Sequence, residues 1–233
     1  MYLQLGRVPT VVVSSAQMAE EVLKTQDTKF CSRPNTTTTK RISYGFSDVV
    51  FSSYNSTWRE LRKMTVSTLL NNRMVEGFRP VREEEIYRMI GSISSQLASL
   101  PSEPVNLSKL LHSLSSGIVC RTAFGKRFDR EGQGHGRFHE ILMETQALCV
   151  EFFVGDYFPW FGWVDSLSGM RARLEKNFTE LDTFYREVIQ SHADPATPED
   201  DEEDLVDVLL RLRKECHVTE DNVKGVIMVS GLF

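Results

Sequence analysis

The sequence predicts a mainly α fold with one small β-sheet. Three observations carry that expectation. Apolar residues recur at helical spacing along most of the 233-residue chain. Ser and Thr stand where helix starts need side-chain caps. β-branched alternation is confined to the opening residues and one short central stretch. With 41% hydrophobic and 25% charged residues, the composition supports a buried core, and the length suits one large domain or two small ones.

Taken in order, the chain opens on a β-hairpin. Residues 2–5 and 8–13 are largely apolar or β-branched, and Gly6-Arg7 between them is a turn dipeptide. Pro9 cannot donate to a ladder, so its strand belongs at an edge. Ser14 and Gln17 form a capping box for a short helix with Ala16, Ala19, Val22 and Leu23 inward. Residues 27–56 read as a long irregular section containing Tyr44, Phe46, Phe51 and Tyr54. A loop of that length usually serves as a lid or a binding loop, and its aromatic content counts against disorder.

Thr57 and Glu60 form the capping box of a helix reaching Leu70. Pro80 opens a long helix with Ile86, Met89, Ile90, Ile93 and Leu97 on one face, stopped by Pro101. Residues 105–107 read as a short strand, after which Ser108 caps a helix with Leu110, Leu111, Leu114 and Ile118 on one side. The Gly-rich loop at 132–136 has neither a preceding strand nor Gly-Lys-Ser, which excludes a phosphate-binding role.

Residues 138–153 return to helix. The aromatic stretch at 156–165 is broken by Pro159 and Gly162, so it reads as a loop that fills core, covers a pocket, or meets a membrane or partner. Residues 171–192 form a long amphipathic helix. The acidic run at 199–204 is a solvated loop whose charge favours the start of a helix carrying Leu205, Val208, Leu209 and Leu212. Thr219 caps a last helix rich in apolar residues.

Charge and cysteine usage exclude several functions. The net charge is −5 and no basic stripe exists, which argues against nucleic-acid binding. Cys31, Cys120, Cys149 and Cys216 are far apart and lack C-x-x-C spacing, so neither a zinc site nor a disulfide scaffold is expected. They read as reduced thiols. No apolar run of about 18 residues could span a bilayer. The N-x-S/T triplets at Asn35, Asn55, Asn106 and Asn177 read as chance.

The chemistry centres on Trp58 and Arg62. They are four apart on one helix and so stand on the same face, with Leu61 and Leu69 turning its flank toward a core. An indole N–H and a guanidinium are donors without acceptors of their own. Either they are structural, the Trp packed and the Arg in water or on a carboxylate, or they clamp an anion such as a cofactor carboxylate.

The order of motifs resembles the N-terminal half of a plant microsomal cytochrome P450, a haem-thiolate monooxygenase of the specialised-metabolism group. The resemblance rests on the opening Leu5-Gly6-Arg7-Val8-Pro9, Phe30-Cys31-Ser32-Arg33-Pro34, Trp58-Arg59-Glu60-Leu61-Arg62, Ala123-Phe124-Gly125-Lys126-Arg127-Phe128, the 156–163 aromatic segment and residues 181–189. It covers nearly all of residues 1–233 as one partial P450 domain.

The resemblance implies that Trp58 and Arg62 hold a haem propionate. Residues 41–54 match a substrate-contacting lid, and residues 138–153 with the aromatic segment match the roof of the substrate channel. Tyr44, Phe46, Phe51, Phe152 and Phe153 are the implied substrate contacts. The implied reaction oxidises a small hydrophobic metabolite with O2, with electrons from an NADPH-dependent reductase, at the cytosolic face of the endoplasmic reticulum membrane.

Departures matter too. The family usually has Gly where Asn55 stands. None of the four cysteines lies in a Phe-Gly-Arg-Cys-Gly setting, and no Gly-rich oxygen-activation segment follows Met228. Glu85-x-x-Arg88 mimics a family motif in the wrong helix. The chain is therefore expected to be an N-terminal piece without membrane anchor or thiolate ligand, and inactive alone. Such a piece would be a truncated product, or a weak binder of haem or hydrophobic ligands. It would expose the apolar faces of the Trp58 helix and of the last helix. An unrelated helical interaction protein is the remaining alternative.

Overall fold

The computed structural model describes residues 1–99, 103–125, 135–193, 204–215 and 218–232. The hairpin is present: β1 (Tyr2–Leu5) and β2 (Val8–Val11) pair antiparallel, with Tyr2 opposite Val11 and Leu5 opposite Val8. Gly6 turns with φ 59°, and a Cβ there would lie 2.2 Å from the Tyr157 carbonyl oxygen. Only glycine lets the Arg7 amide donate to that carbonyl at 2.8 Å. The hairpin is thereby tied to the aromatic segment far along the chain.

The next helix, α1 (Ala16–Glu20), widens into a π turn over Glu21–Thr25. Its cap is Ser15, whose side chain accepts from the Met18 amide, rather than Ser14. Its expected inward residues do not form core; Leu23 is 77% exposed. The section expected to be irregular holds α2 (Asp27–Phe30) and α3 (Thr37–Ile42), the latter closed by a Thr36–Thr39 capping box. Four consecutive threonines with reciprocal side-chain bonds resemble loop chemistry in sequence, which hides this helix.

The Trp58 helix is α4 (Ser56–Met64), again ending in a π turn, over Thr65–Leu69. Asn55, not Thr57, caps it, taking the Trp58 amide at 2.8 Å. Asn55 therefore has a role of its own where the family usually has glycine. After α5 (Asn72–Gly77) comes α6 (Arg79–Ser99), which lies along α7 (Leu107–Phe124). There is no strand at 105–107; Asn106 caps α7 by accepting from the Lys109 amide. Gly125 ends α7 in the left-handed region, φ 63°. The loop at 132–136 lies mostly outside the described residues.

Between α6 and α7, the buried Glu85 receives Arg121 at 3.2 Å, while Arg88 approaches it only to 4.0 Å. The close partner of Glu85 is therefore Arg121 of α7 rather than Arg88. The apolar stripe of α6 does not form core: Ile86, Ile90 and Leu97 are exposed.

The second half is α8 (His135–Val150), α9 (Val154–Tyr157), a 3₁₀ turn (Pro159–Phe161), α10 (Trp163–Leu167), α11 (Met170–Ala193), α12 (Leu205–Glu215) and α13 (Glu220–Leu232). The aromatic stretch is therefore three short helical pieces rather than loop. Asp165, buried, organises them by accepting the Val154 and Gly155 amides at 2.8 Å each. The acidic run lies outside the described residues except Asp204.

The core gathers around α11 through Leu174, Leu181, Tyr185, Val188 and Ile189. Against it stand Phe124, Phe138 and Leu148, with Val206 and Leu209 of α12. The last helix reverses an expectation. Val223, Val226, Ile227 and Met228 are at most 2% exposed, so its apolar face is core. Just beyond the Trp58 helix, Val66 and Leu70 are exposed, as the same expectation had it for that helix. Asn55 and Asn106 serve as caps and Asn177 is buried, so their side chains are engaged. Among the described residues no helix is long and apolar enough to cross a membrane.

Candidate functional site

Local sequence fixes the geometry of α4. The Asn55 cap starts the helix about two turns ahead of Arg62, and Leu61 and Leu69 bury its flank. Trp58 is half-buried, tilted against the Tyr54 ring at a centroid distance of 5.7 Å. Its indole N–H donates to the Val49 carbonyl at 2.9 Å. Arg62 is exposed and lies across that indole, Cζ 5.2 Å from the ring centroid. It makes no ion pair among the described residues.

An open groove of about 740 Å³ runs along this face. Arg59, Arg62 and Lys63 line it with Glu60, an excess of positive charge. The sequence left two readings of the pair. In the structure the indole donor is spent on backbone, and the guanidinium lines the groove without an ion-pair partner among the described residues.

Residues 43–54 form a loop gripped from three sides. At α4 the grip is the Trp58–Val49 bond. At α13, the Asn222 side chain donates to the Ser47 carbonyl at 2.8 Å. Gly225 allows this approach, since a Cβ there would lie 3.1 Å from the Asp48 Cβ. At α11, the Tyr44 hydroxyl donates to Asp182 at 3.0 Å. Asp182 also takes Lys224 at 3.0 Å and Arg186 at 2.6 Å. Lys224 is itself buried and takes Glu220 as second partner. Burial beside Asp182 pushes the Tyr44 hydroxyl far above its ordinary range.

The turn above this network is strained. Tyr44, Gly45 and Phe46 all have positive φ, at 52°, 72° and 68°. Two bulky residues in that region are uncommon, and such strain persists only where surroundings hold it. Inside the loop, Asp48 is buried and accepts the Phe51 amide at 3.0 Å. Burial is the main reason its carboxyl is held above the usual range; amide and Ser52 hydrogen bonds oppose it.

The preceding helix α3 is clamped at both ends. The Thr37 amide and hydroxyl donate to Asp156 of α9 at 3.0 and 2.6 Å. Arg41 forks onto Glu175 at 2.8 and 2.7 Å and covers the Phe178 ring. A second hollow of about 770 Å³, between α3 and α11, is lined in part by Arg41, Tyr44, Arg171 and Glu175.

The five aromatic residues singled out from sequence do not share one cavity. Tyr44 lines the second hollow and Phe46 sits half-buried in the strained turn. Phe51 packs against the core and Phe153 is buried within it. Phe152 stacks on Tyr157 at 4.8 Å and is otherwise exposed. Sequence reasoning missed Asp182, Lys224, Asp156 and Gly225. A lysine within the apolar run of the last helix was the one available signal.

Two of the described cysteines are poorly placed to hold a metal. Cys120 is buried in α7, and burial pushes the Cys149 thiol up to about 11. Cys31 donates to the Thr28 carbonyl at 3.5 Å, and Cys216 lies outside the described residues. The cationic groove at Arg62 thus suits the charge of an acidic group, while Cys120 and Cys149 are packed away from it, in or against the core.

Comparison with solved structures defines the class. A zebra fish cytochrome P450 solved with progesterone superposes with a TM-score of 0.74 at 20% identity, covering 99% of this chain and 51% of that one. A second, solved with abiraterone, gives 0.70 at 20% identity, covering all of this chain and 50% of that one. The fold of the described residues is therefore that of a P450 N-terminal half.

The family follows directly. The cytochrome P450 family model matches residues 1–230, and the chain belongs to that family. It is 46% identical over 234 residues to cytochrome P450 71A1 of Persea americana, covering 97% of this chain and 46% of the relative. It is 44% identical over 230 residues to the 5-OH-xanthotoxin synthase of Pastinaca sativa (98% and 45%), and 37% identical over 234 residues to the strychnine-11-hydroxylase of Strychnos nux-vomica (98% and 45%). The chain spans less than half the length of these relatives. The family carries haem, takes small substrates and generally draws electrons from a reductase.

Proposed function

We propose that this chain is the propionate-gripping and lid-bearing half of a monooxygenase that oxidises a small, largely apolar plant metabolite. The observation that carries the reading is Arg62, stacked on Trp58 and unpaired beside a cationic groove. Bound haem would supply the oxygen chemistry. The residues of this chain bind and enclose. Arg62 meets the propionate, and Trp58 ties that position to the lid through Val49. Tyr44, Phe46 and Phe51 sit on the lid, and Phe152 and Phe153 follow the roof helix α8. The names of the relatives, a 5-OH-xanthotoxin synthase and a strychnine-11-hydroxylase, support substrates of that size and character. The electron donor is an NADPH-dependent reductase, and the site of action is the cytosolic face of the endoplasmic reticulum membrane.

The chain by itself is proposed to be inactive, because none of its described cysteines is placed as a thiolate ligand. The test is a chimera in which residues 1–233 replace the matching segment of the Persea americana relative. With reductase and NADPH, the chimera is expected to show the carbon-monoxide Soret band of thiolate-ligated haem and to oxidise small apolar substrates. A soluble, folded chimera without haem would overturn the proposal.

A further inference from the structure

The end of α11 meets the start of α12 through three side chains to which the P450 reading gives no role. His192 stands in the last turn of α11, and Asp204 and Asp207 at the start of α12. Asp204 is 4% exposed. Both ring nitrogens of His192 are engaged: Nδ1 lies 2.8 Å from the Val188 carbonyl oxygen, and Nε2 lies 2.7 Å from Oδ2 of Asp204. A carbonyl oxygen only accepts, so Nδ1 carries the hydrogen. In that neutral tautomer the bare lone pair of Nε2 points at a carboxylate. Two acceptors at such a distance repel, so a positive charge has to lie between them.

The surroundings extend the cluster to a third ligand. One ligand atom from each of His192, Asp204 and Asp207 lies within 4.8 Å of the other two. The two aspartates are held by reciprocal capping: Asp204 Oδ1 accepts the Asp207 amide at 2.9 Å, and Asp207 Oδ2 accepts the Asp204 amide at 3.2 Å. Those bonds leave Oδ2 of Asp204 and Oδ1 of Asp207 for a ligand.

We propose that His192, Asp204 and Asp207 form a divalent-cation site that pins the end of α11 to the start of α12. One imidazole with two carboxylates suits Zn²⁺ or Co²⁺ better than Mg²⁺ or Ca²⁺, which take oxygen ligands. The Nδ1–H bond to a backbone carbonyl is the support a metal-bound histidine usually has. Tetrahedral bonds of about 2.0–2.1 Å place nitrogen and oxygen about 3.3 Å apart, so the His192–Asp204 contact of 2.7 Å has to open by about 0.6 Å. The competing occupant is a proton shared by His192 and Asp204. Asp207 separates the two, because a proton needs only the pair and a cation uses all three.

The test is calorimetric titration of the full chain with ZnCl2 and CoCl2, with melting curves before and after EDTA. The parent is compared with His192→Gln and Asp207→Asn. Asparagine at 207 keeps an acceptor for the Asp204 amide, so that variant retains the cap and the His192–Asp204 pair. Cysteine-bound metal contributes equally to all three proteins. The parent is expected to bind one more equivalent than either variant, or to bind it at least tenfold more tightly, and to lose melting temperature in EDTA. Equal stoichiometry and affinity in all three would overturn the site, as would absence of binding. A lower melting temperature in His192→Gln alone, with metal binding the same in all three proteins, would assign the positive charge to the proton.

Discussion

Arg62 lies over the indole of Trp58, and the two side chains divide their donors: the indole N–H goes to Val49, and the guanidinium goes to none of the described residues. The division predicts unequal roles. In the chimera, Arg62→Ala removes a charge-assisted bond to the propionate, of about 1.5–3 kcal/mol, and haem retention should fall at least tenfold. Trp58→Phe keeps the stacking surface and loses the Val49 bond, costing about 1 kcal/mol of stability with far less loss of haem. Haem-to-protein ratio after gel filtration, beside urea midpoints, measures both. Equal haem loss from the two variants would contradict the division.

Asp182 carries more of the lid than Tyr44 does. Tyr44→Phe removes one hydroxyl from a carboxylate that Lys224 and Arg186 still satisfy, so about 1 kcal/mol is expected. Asp182→Ala leaves the buried Lys224 with Glu220 alone and should cost about 3 kcal/mol. Urea denaturation of the two variants in parallel reads the difference. Tyr44→Phe should also speed proteolysis within 43–54, since it releases the strained turn at one of its three grips.

Gly225 faces the same loop from α13, where an added Cβ would sit 3.1 Å from Asp48 Cβ and 3.2 Å from the Ser47 carbonyl oxygen. Both neighbours are fixed, one by burial and the other by its bond from Asn222. Gly225→Ala should therefore destabilise by about 1–3 kcal/mol, although alanine favours helix. Gly91→Ala, on open helix surface in α6, has nothing within 4 Å and should stabilise slightly. The pair of melting temperatures tests contact against propensity.

Helical period made most of the long helices legible, because α7, α8, α11, α12 and α13 each bury one face against the core; the caps were less so, since Ser15, Asn55 and Asn106 stand where Ser14, Thr57 and Ser108 were expected. The stripe of α6 misled: its period is helical, but Ile86, Ile90 and Leu97 stay exposed. Periodicity reports a face, not what covers it. Trp58 and Arg62 were legible because four-residue spacing places two side chains together. The lid network was not. Asp182 and Tyr44 are 138 residues apart, and no local rule brings them together. Helix α3 was hidden because threonines that cap and threonines that loop look alike in sequence.

The buried carboxyl of Asp48 gives the lid a pH dependence with a definite sign. Burial raises it above the ordinary 3.8, so the folded chain keeps this proton to higher pH than the unfolded chain. Unfolding then releases a proton in the window between those values. The contribution to stability falls as pH rises through the window and is level above it. Asp48→Asn keeps an oxygen for the Phe51 amide and removes the titration. Urea midpoints taken from about pH 4 to pH 7 should drop less steeply in the variant than in the parent. Parallel slopes would place the pH dependence elsewhere.

Thiol chemistry supplies the last prediction, on the chain taken alone. A haem thiolate has to ionise at neutral pH, and low thiol pKa comes from nearby cations, metals or helix N-termini. Cys149 has the opposite setting: burial alone lifts it to about 11. Cys120 is 3% exposed within the core at the α7 interface. Neither can present sulfur to an external ligand without unpacking α7 or α8. Iodoacetamide at pH 8 should therefore label Cys31 well before Cys149, with Cys149 accelerating only as pH approaches its raised value. By the same reasoning, the 233-residue polypeptide mixed with haemin and reduced under carbon monoxide should lack the thiolate-type Soret band. A histidine-ligated spectrum would be compatible with this, since the chain has five histidines. A thiolate band that survived Cys216→Ala would mean that one of the three described cysteines leaves its packed position, and the core arrangement around α7 and α8 would have to be redrawn.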